Sequence, residues 1–390
     1  MSKYCKLLMV GAEANNNKFY EMIWDGGADF EVKFGRVEGG AQTATYPYSK
    51  WGSKYNEKLK KGYKDVTQFV TTTDTTTSAP TADASTIKEA KVREFMQLMK
   101  KYTDGLVSNT YSVKAESVTQ AQVDEAQAAL NTLLKAGQKD ADYVNRLLVE
   151  LYTIIPRKMR HVRDHLLPNI RLDKALQQEQ DNLDAMASQV SQITPRKAGK
   201  GGKNILDSLG ISMQQCLAGK DIVYLINQIT GSRTRVEAIF EVNKPEEDKI
   251  FKSWLSKQKN KDTKVLIHGT RCSSVIPILD TGLKIRPSGN FQFSGKVYGE
   301  GNYFSETVQK SLNYTGGQTD KILLVYEVHT GNPFVYDGWY TGNSFTLNYK
   351  NLQDRGYDST FVKAGNGLLN SEVIAYKEEQ NRIKYILWLK

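Results

Sequence analysis

The sequence predicts a multidomain α+β protein: a small β-rich domain, then an all-α bundle, then a mixed α/β domain with mainly antiparallel strands. Three observations predict it. Apolar residues alternate with a period of two in the first 70 residues and again beyond 204, but follow the 3.6-residue period between 87 and 192. Two stretches nearly free of apolar side chains separate these blocks. Residues 71–86 (TTTDTTTSAPTADAST) read as a flexible linker, and 193–203, which include TPRKAGKGGK, as a basic loop or hinge. In the last block helices do not alternate regularly with strands, so antiparallel pairing is the default. A chain of 390 residues suits two or three domains, and 39% hydrophobic and 10% aromatic residues suffice for real cores.

The first block, 1–70, carries the strand-like runs KLLMV, KFYEMIW and DFEVKFGRV, with turns at Asp25-Gly26-Gly27 and Gly39-Gly40. It closes on a basic helical segment in which Lys50, Lys54, Lys58 and Lys61 fall on one face beside Trp51, Tyr55 and Tyr63. Interleaved bases and aromatics suit nucleic-acid backbones and ends. The second block, 87–192, opens with the stripe Val92, Phe95, Met96, Met99 and Tyr102. A capping box at Thr119-Gln120-Ala121-Gln122 starts the next helix, with Val123, Ala126, Leu130, Leu133 and Leu134 inward and Gly137 as its stop. Tyr143, Leu147, Leu148, Leu151 and Ile155 follow, ended by Pro156. These stripes read as bundle core. His161 and His165 have ligand-like spacing, but no third ligand and four basic neighbours, so they read as structural. In the third block, 204–390, KVLIHGT, KILLVYEVHTGNPFVY, SEVIAYK and RIKYILWLK have strand character.

Several classes are disfavoured at once. No apolar run approaches the ~18 residues of a membrane span, and the polar start is unlike a secretory signal. An intracellular protein without membrane partners is expected, nuclear in a eukaryote and cytoplasmic or nucleoid-associated in a bacterium or phage. Cys5, Cys216 and Cys272 form neither a CxxC pair nor a disulfide framework, so no metal site is expected. The net charge of +10 favours a polyanionic partner. GxGxxG between strand and helix, GxxxxGK[ST] and GxSxG are all missing from the sequence.

What stands out is LIHGTR at 266–271, then YGEGNYFSETVQKSLNY at 298–314, then NSEVIAY at 370–376. An HG[ST] strand, a GxGxYF segment running into KSxxY, and a glutamate opening a later strand, in that order, resemble the catalytic domain of the poly(ADP-ribose) polymerases. The resemblance extends upstream. LYTIIP (151–156) and DNL (181–183) are similar to that family's helical regulatory domain, and FYEMIW, FGRV and KLKKGY resemble its WGR domain. It implies a WGR-like DNA-binding domain at 1–70, a helical regulatory domain at 87–192 and an ADP-ribosyltransferase domain with a split, mainly antiparallel sheet at 204–390.

The resemblance also implies an activity, NAD⁺ being substrate rather than bound cofactor. Nicotinamide leaves the ribose through a cation-like transition state akin to glycosyl transfer. Glu372, His268 and Tyr303 would be catalytic. Gly269 and Ser311 would hold the nicotinamide carboxamide, Thr270 would also bind NAD⁺, Tyr303 and Tyr314 would wall the ring, and His268 would hold the adenosine ribose. Lys310 would sit beside Glu372, and Asp181 would face the adenosine. Phe34, Arg36, Lys50, Trp51, Lys54 and Lys58 would meet DNA ends. The implied function is a DNA-break-stimulated ADP-ribosyltransferase that modifies proteins, itself included, and elongates to polymer. Phe34 replaces the WGR tryptophan, and Val297 and Asn370 stand where the family's acceptor subsite has Met and Tyr. Alternatives are single transfer or NAD⁺ hydrolysis on the same fold, or a silent DNA-end scaffold.

Overall fold

The computed structural model describes residues 2–67, 83–137, 140–193, 204–229, 234–287, 296–337, 346–365 and 368–390. The expected linkers lie mostly outside them. Within 83–86, however, Ala84 is buried, and the Asp83 carbonyl accepts from Ile205 N–H, so that end of the anticipated linker is packed. The chain folds into two compact units.

One unit holds described residues 2–67, 105–137 and 140–193. Strands β1 (Lys3–Gly11), β2 (Asn16–Trp24), β3 (Asp29–Arg36) and β4 (Gln42–Pro47) precede helix α1 (Trp51–Lys60) and the short β5 (Lys64–Asp65). They form an antiparallel sheet in the order β4-β3-β2-β1-β5. Alternation does what the sequence implies: Leu7, Tyr20, Met22, Phe30 and Val32 bury together. At the β1–β2 turn Asn15 adopts a positive φ of 48°, a conformation asparagine tolerates. Three helices complete the unit, after α2 (Ala90–Thr110): α3 (Gln120–Ala136), α4 (Ala141–Ile154) and α5 (Leu172–Ile193). The capping box at Thr119 and Gln122 is formed as the sequence suggests, and Val123, Ala126, Leu130, Leu133 and Leu134 are buried. His161 and His165 do not share a helix face: Val162–His165 is a 3₁₀ turn preceded by His161.

The division between units runs through α2, whose residues up to 104 belong to the second unit. Its stripe Val92, Phe95, Met96 and Met99 is buried, but among Phe240, Leu324 and Trp388 of that unit rather than in a helical bundle. Phe95 lies 4.8 Å from the Phe240 ring.

The second unit continues with α6 (Ile205–Leu209), β6 (Ser212–Gln215), α7 (Val223–Ile229), β7 (Val236–Asn243) and α8 (Pro245–Ser256). There follow β8 (Thr263–Thr270), α9 (Cys272–Thr281), β9 (Asn302–Phe304), α10 (Val308–Leu312), β10 (Lys321–His329) and β11 (Pro333–Asp337). Last come α11 (Tyr349–Gln353), β12 (Ser359–Lys363), β13 (Glu372–Ala375) and β14 (Asn381–Leu389). One antiparallel sheet runs β6-β7-β14-β10-β8 and a second β11-β12-β13-β9. Mixed α/β architecture with antiparallel sheets is thus as expected, with β11 and β12 a parallel pair within it. Strand β10 shows why its sequence is an unbroken apolar run over 322–326. Ile322, Leu324, Tyr326 and Val328 enter the core that receives α2, while Leu323 and Val325 enter a core with Ile222, Leu225 and Ile229. A strand buried on both faces has no polar side to show.

Candidate active site

The two sheets of the second unit meet edge to edge where Ile267 of β8 and Ser305 exchange backbone hydrogen bonds of 2.9 Å. That junction brings the expected residues of β8, β9, α10 and β13 together. His268 is next along β8. Its Nδ1 lies 3.0 Å from the Tyr303 carbonyl, which can only accept, so Nδ1 carries the proton and Nε2 is left as an acceptor. Burial pushes the His268 pKa down, with the Tyr303 carbonyl working against it. A neutral imidazole with an acceptor nitrogen suits a sugar hydroxyl.

Gly269 is buried against α10. A Cβ there would fall 1.8 Å from the Ser311 carbonyl oxygen, which no side chain permits. Ser311 is itself buried, Thr270 closes the strand, also buried, and Tyr314 beyond the helix is 45% exposed. The glycines of YGEGNYF have equally local reasons. Gly299 has φ +91° and faces the Leu347 carbonyl, and a Cβ at Gly301 would meet Ile374 Cγ2 at 2.5 Å. Gly301 lets the segment press onto β13, where Tyr303 is opposite Ile374.

The Tyr303 hydroxyl donates to the Gly299 carbonyl at 2.9 Å and accepts from Tyr298 N–H at 2.8 Å. Burial first, then the neighbouring Tyr376 and the charge of Glu372, drive this phenol far above its ordinary pKa. Burial also raises that of Tyr314, with Lys310 lowering it and Glu372 adding to the rise. Both tyrosines therefore feel one carboxylate. Glu372 opens β13, only 8% exposed, and pairs with Lys310 of α10. An ion pair this enclosed holds the carboxylate at a fixed place.

The remaining expected residues lie in the other unit. Asp181 is on α5, half-buried. Phe34 packs 6.0 Å from the Tyr20 ring, and Arg36 Nη1 donates to the Asn15 carbonyl at 2.7 Å. Lys50 is exposed, Lys54 lies over the Tyr46 ring at 4.4 Å, and Lys58 over that of Tyr20 at 4.2 Å. Trp51 is a correction: it is buried, edge-on to Phe30 at 5.1 Å, and cannot stack on a nucleic acid. Its place in a basic run concealed that it faces the sheet. Residues that the sequence did not single out also touch the site's framework, namely Gln228, Ser305, Glu306, Thr307 and Ser371.

Comparison with known proteins places the chain in a family. The poly(ADP-ribose) polymerase catalytic domain matches residues 220–338, which include His268, Tyr303, Lys310, Ser311 and Tyr314. A "putative poly [ADP-ribose] polymerase-like 100L" of Invertebrate iridescent virus 6 is 58% identical over 168 residues, 43% of this chain and 92% of that protein. The chain belongs to the poly(ADP-ribose) polymerase family. A second protein of the same virus, "uncharacterized protein 101L", is 41% identical over 191 residues, 49% of this chain and 79% of its own length. Poly [ADP-ribose] polymerase 1 of Gallus gallus is 25% identical over 315 residues, 70% of this chain but 30% of that longer protein. The poly(ADP-ribose) polymerase catalytic domain is an NAD⁺ ADP-ribosyltransferase domain, and NAD⁺ is its substrate. Among the described residues no group of three or more His, Cys, Asp or Glu could hold a metal ion, and no helix is long and apolar enough to cross a membrane.

Proposed function

We propose that this chain uses NAD⁺ to ADP-ribosylate proteins, itself included, and extends the product to poly(ADP-ribose), with broken DNA as the stimulus. The observation that carries the catalytic part is the enclosed Lys310–Glu372 pair beside Tyr303, whose carbonyl orients His268. In this reading Gly269 and Ser311 hold the carboxamide, and Tyr303 and Tyr314 flank the nicotinamide, whose cationic ring suits aromatic faces. Thr270 ends the same strand. His268 Nε2 accepts from the adenosine ribose. Glu372 accepts from the nicotinamide ribose hydroxyl and stabilises the positive charge that grows as nicotinamide departs.

Labelled NAD⁺ tests this. Glu372→Gln should lose polymer and slow ADP-ribose transfer to acceptors by about a hundredfold or more. Wild-type product from that variant would end the proposal. The length of the product is a separate matter. The Asn370 amide oxygen accepts from Thr307 at 3.2 Å, a short side chain turned inward at an acceptor-side position. This favours a second reading, in which product stays at one or a few units, and a sizing gel separates ladder from single band.

The regulatory part rests on the sequence likeness of 1–70 and 87–192 to WGR and helical regulatory domains, and on the charge of +10. DNA would meet Arg36, Phe34 and the Lys50, Lys54 and Lys58 face, and the helical segment, with Asp181 towards the adenosine, would restrain the NAD⁺ site until DNA shifts the population. NAD⁺ turnover measured with and without nicked DNA checks it: equal rates would remove DNA from the scheme, and Arg36→Ala should lower only the stimulated rate.

A further inference from the structure

We propose that the corner Ser305–Thr307, braced by Gln228 and Glu306, is a positioning device for the Lys310–Glu372 pair. The inference rests on the reading of Glu372 given above and adds residues to it. Lys310 and Glu372 come from segments distant in sequence, so some element must fix them relative to one another. The corner touches both.

On the Glu372 side, the Glu306 carboxylate accepts from Ser371 Oγ at 3.2 Å, Ser305 Oγ reaches the Ser371 carbonyl at 3.4 Å, and Thr307 Oγ1 holds Asn370 at 3.2 Å. The two residues just before Glu372 are therefore tied to three consecutive side chains. On the Lys310 side, Thr307 stands at the N-cap position of α10, where its N–H donates to Ser305 Oγ at 3.0 Å. Gln228 of α7 then grips the corner with both ends of one amide. Its Nε2 donates to the Glu306 carbonyl at 3.0 Å, and its Oε1 accepts from Val308 N–H at 2.7 Å. Lys264 Nζ donates to the other Glu306 oxygen at 2.9 Å.

These bonds contribute little to folding, which is what marks them as positional. Gln228 is exposed, and ordering its side chain costs rotamer entropy that two surface hydrogen bonds roughly offset. The Lys264–Glu306 pair is half-exposed and worth little as an ion pair. Neither residue touches the reacting atoms in this reading. They act through Ser371 and Val308.

The test compares the full chain, with broken DNA present in every arm, as wild type, Gln228→Ala, Glu306→Ala, Glu306→Gln and Glu372→Gln. Measured are kcat and KM for NAD⁺, the split between transferred and free ADP-ribose, and the thermal midpoint. Gln228→Ala and Glu306→Ala should lower kcat for transfer by roughly ten- to a hundredfold, the loss that about 1 Å of misplacement causes. KM and the midpoint should stay at wild-type values, with a larger share of free ADP-ribose. Glu306→Gln still accepts the Ser371 hydroxyl and should restore most of the rate. Wild-type kcat and products in both alanine variants, with Glu372→Gln inactive, would overturn the brace and leave Glu372 standing. Parallel falls in kcat and midpoint would reduce the corner to a structural role and equally overturn it. An active Glu372→Gln enzyme would remove the reading beneath it.

Discussion

His268 joins two demands in one side chain. Its protonated Nδ1 is spent on the Tyr303 carbonyl, and burial keeps the ring neutral, so the free Nε2 must be an acceptor. The same burial makes stability depend on pH. Above the ordinary imidazole pKa of 6.5, folded and unfolded forms are both neutral and no penalty arises. Below it the unfolded chain takes a proton that the folded site resists, so stability falls as pH falls. Urea titrations between about pH 7.5 and about pH 5 should show that fall, and His268→Gln should make it shallower, with His165, which burial also pushes down, supplying the rest. Gly269 sets a steric limit: Gly269→Ala must displace the Ser311 carbonyl and should abolish NAD⁺ turnover, measured as nicotinamide release. Its need was not readable from the sequence as a conformational one, because Gly269 is not among the positive-φ glycines; the clash comes from a helix some forty positions later. Trp51 illustrates the converse. Its neighbours in sequence are basic, and its neighbours in space are Phe30 and Tyr48.

At the scale of elements, periodicity told which faces are apolar but not where they go. The stripe of α2 is as regular as that of α3, yet it enters the core beside Trp388. Helix α3 could be drawn from the sequence down to its capping box, because the box is a contact between residues three apart. Contacts within the first unit that join distant elements were not legible. Arg157, just past α4, is 4% exposed, pairs with Glu179 of α5 and lies 4.1 Å from the Tyr111 ring centre. Its carbonyl accepts from Asn17 of β2 at 3.1 Å. A pair this deep is costly to break from one side. Glu179→Gln should destabilise the first unit by about 3 kcal/mol, seen as a lower denaturant midpoint, because it leaves the guanidinium buried without its counter-charge.

On the scale of the whole molecule, charge and connectivity matter more than any one contact. A net charge of +10 is a property of composition and draws polyanions without specifying one. The lysines on α1 narrow that, although two of them have local company: Lys54 with Glu57, and Lys58 over Tyr20. If broken DNA is the stimulus, replacing Lys50 and Lys54 by alanine should weaken DNA binding without regard to sequence. It should reduce the slope of log affinity against log salt by roughly two, as measured by fluorescence anisotropy. The basal rate without DNA should not change.

The sequence by itself determined the chemistry's vocabulary: LIHGTR, YGEGNYF, KSLNY and NSEVIAY carry the histidine, tyrosines, lysine and glutamate in fixed order. It also determined the local elements, since alternation, helical period and capping are interactions within a few residues. Tertiary structure alone decided what holds these groups in place. The Ile267–Ser305 junction and the Gln228 grip each join segments far apart along the chain. Such contacts depend on how sheets meet, and composition and spacing carry no record of that.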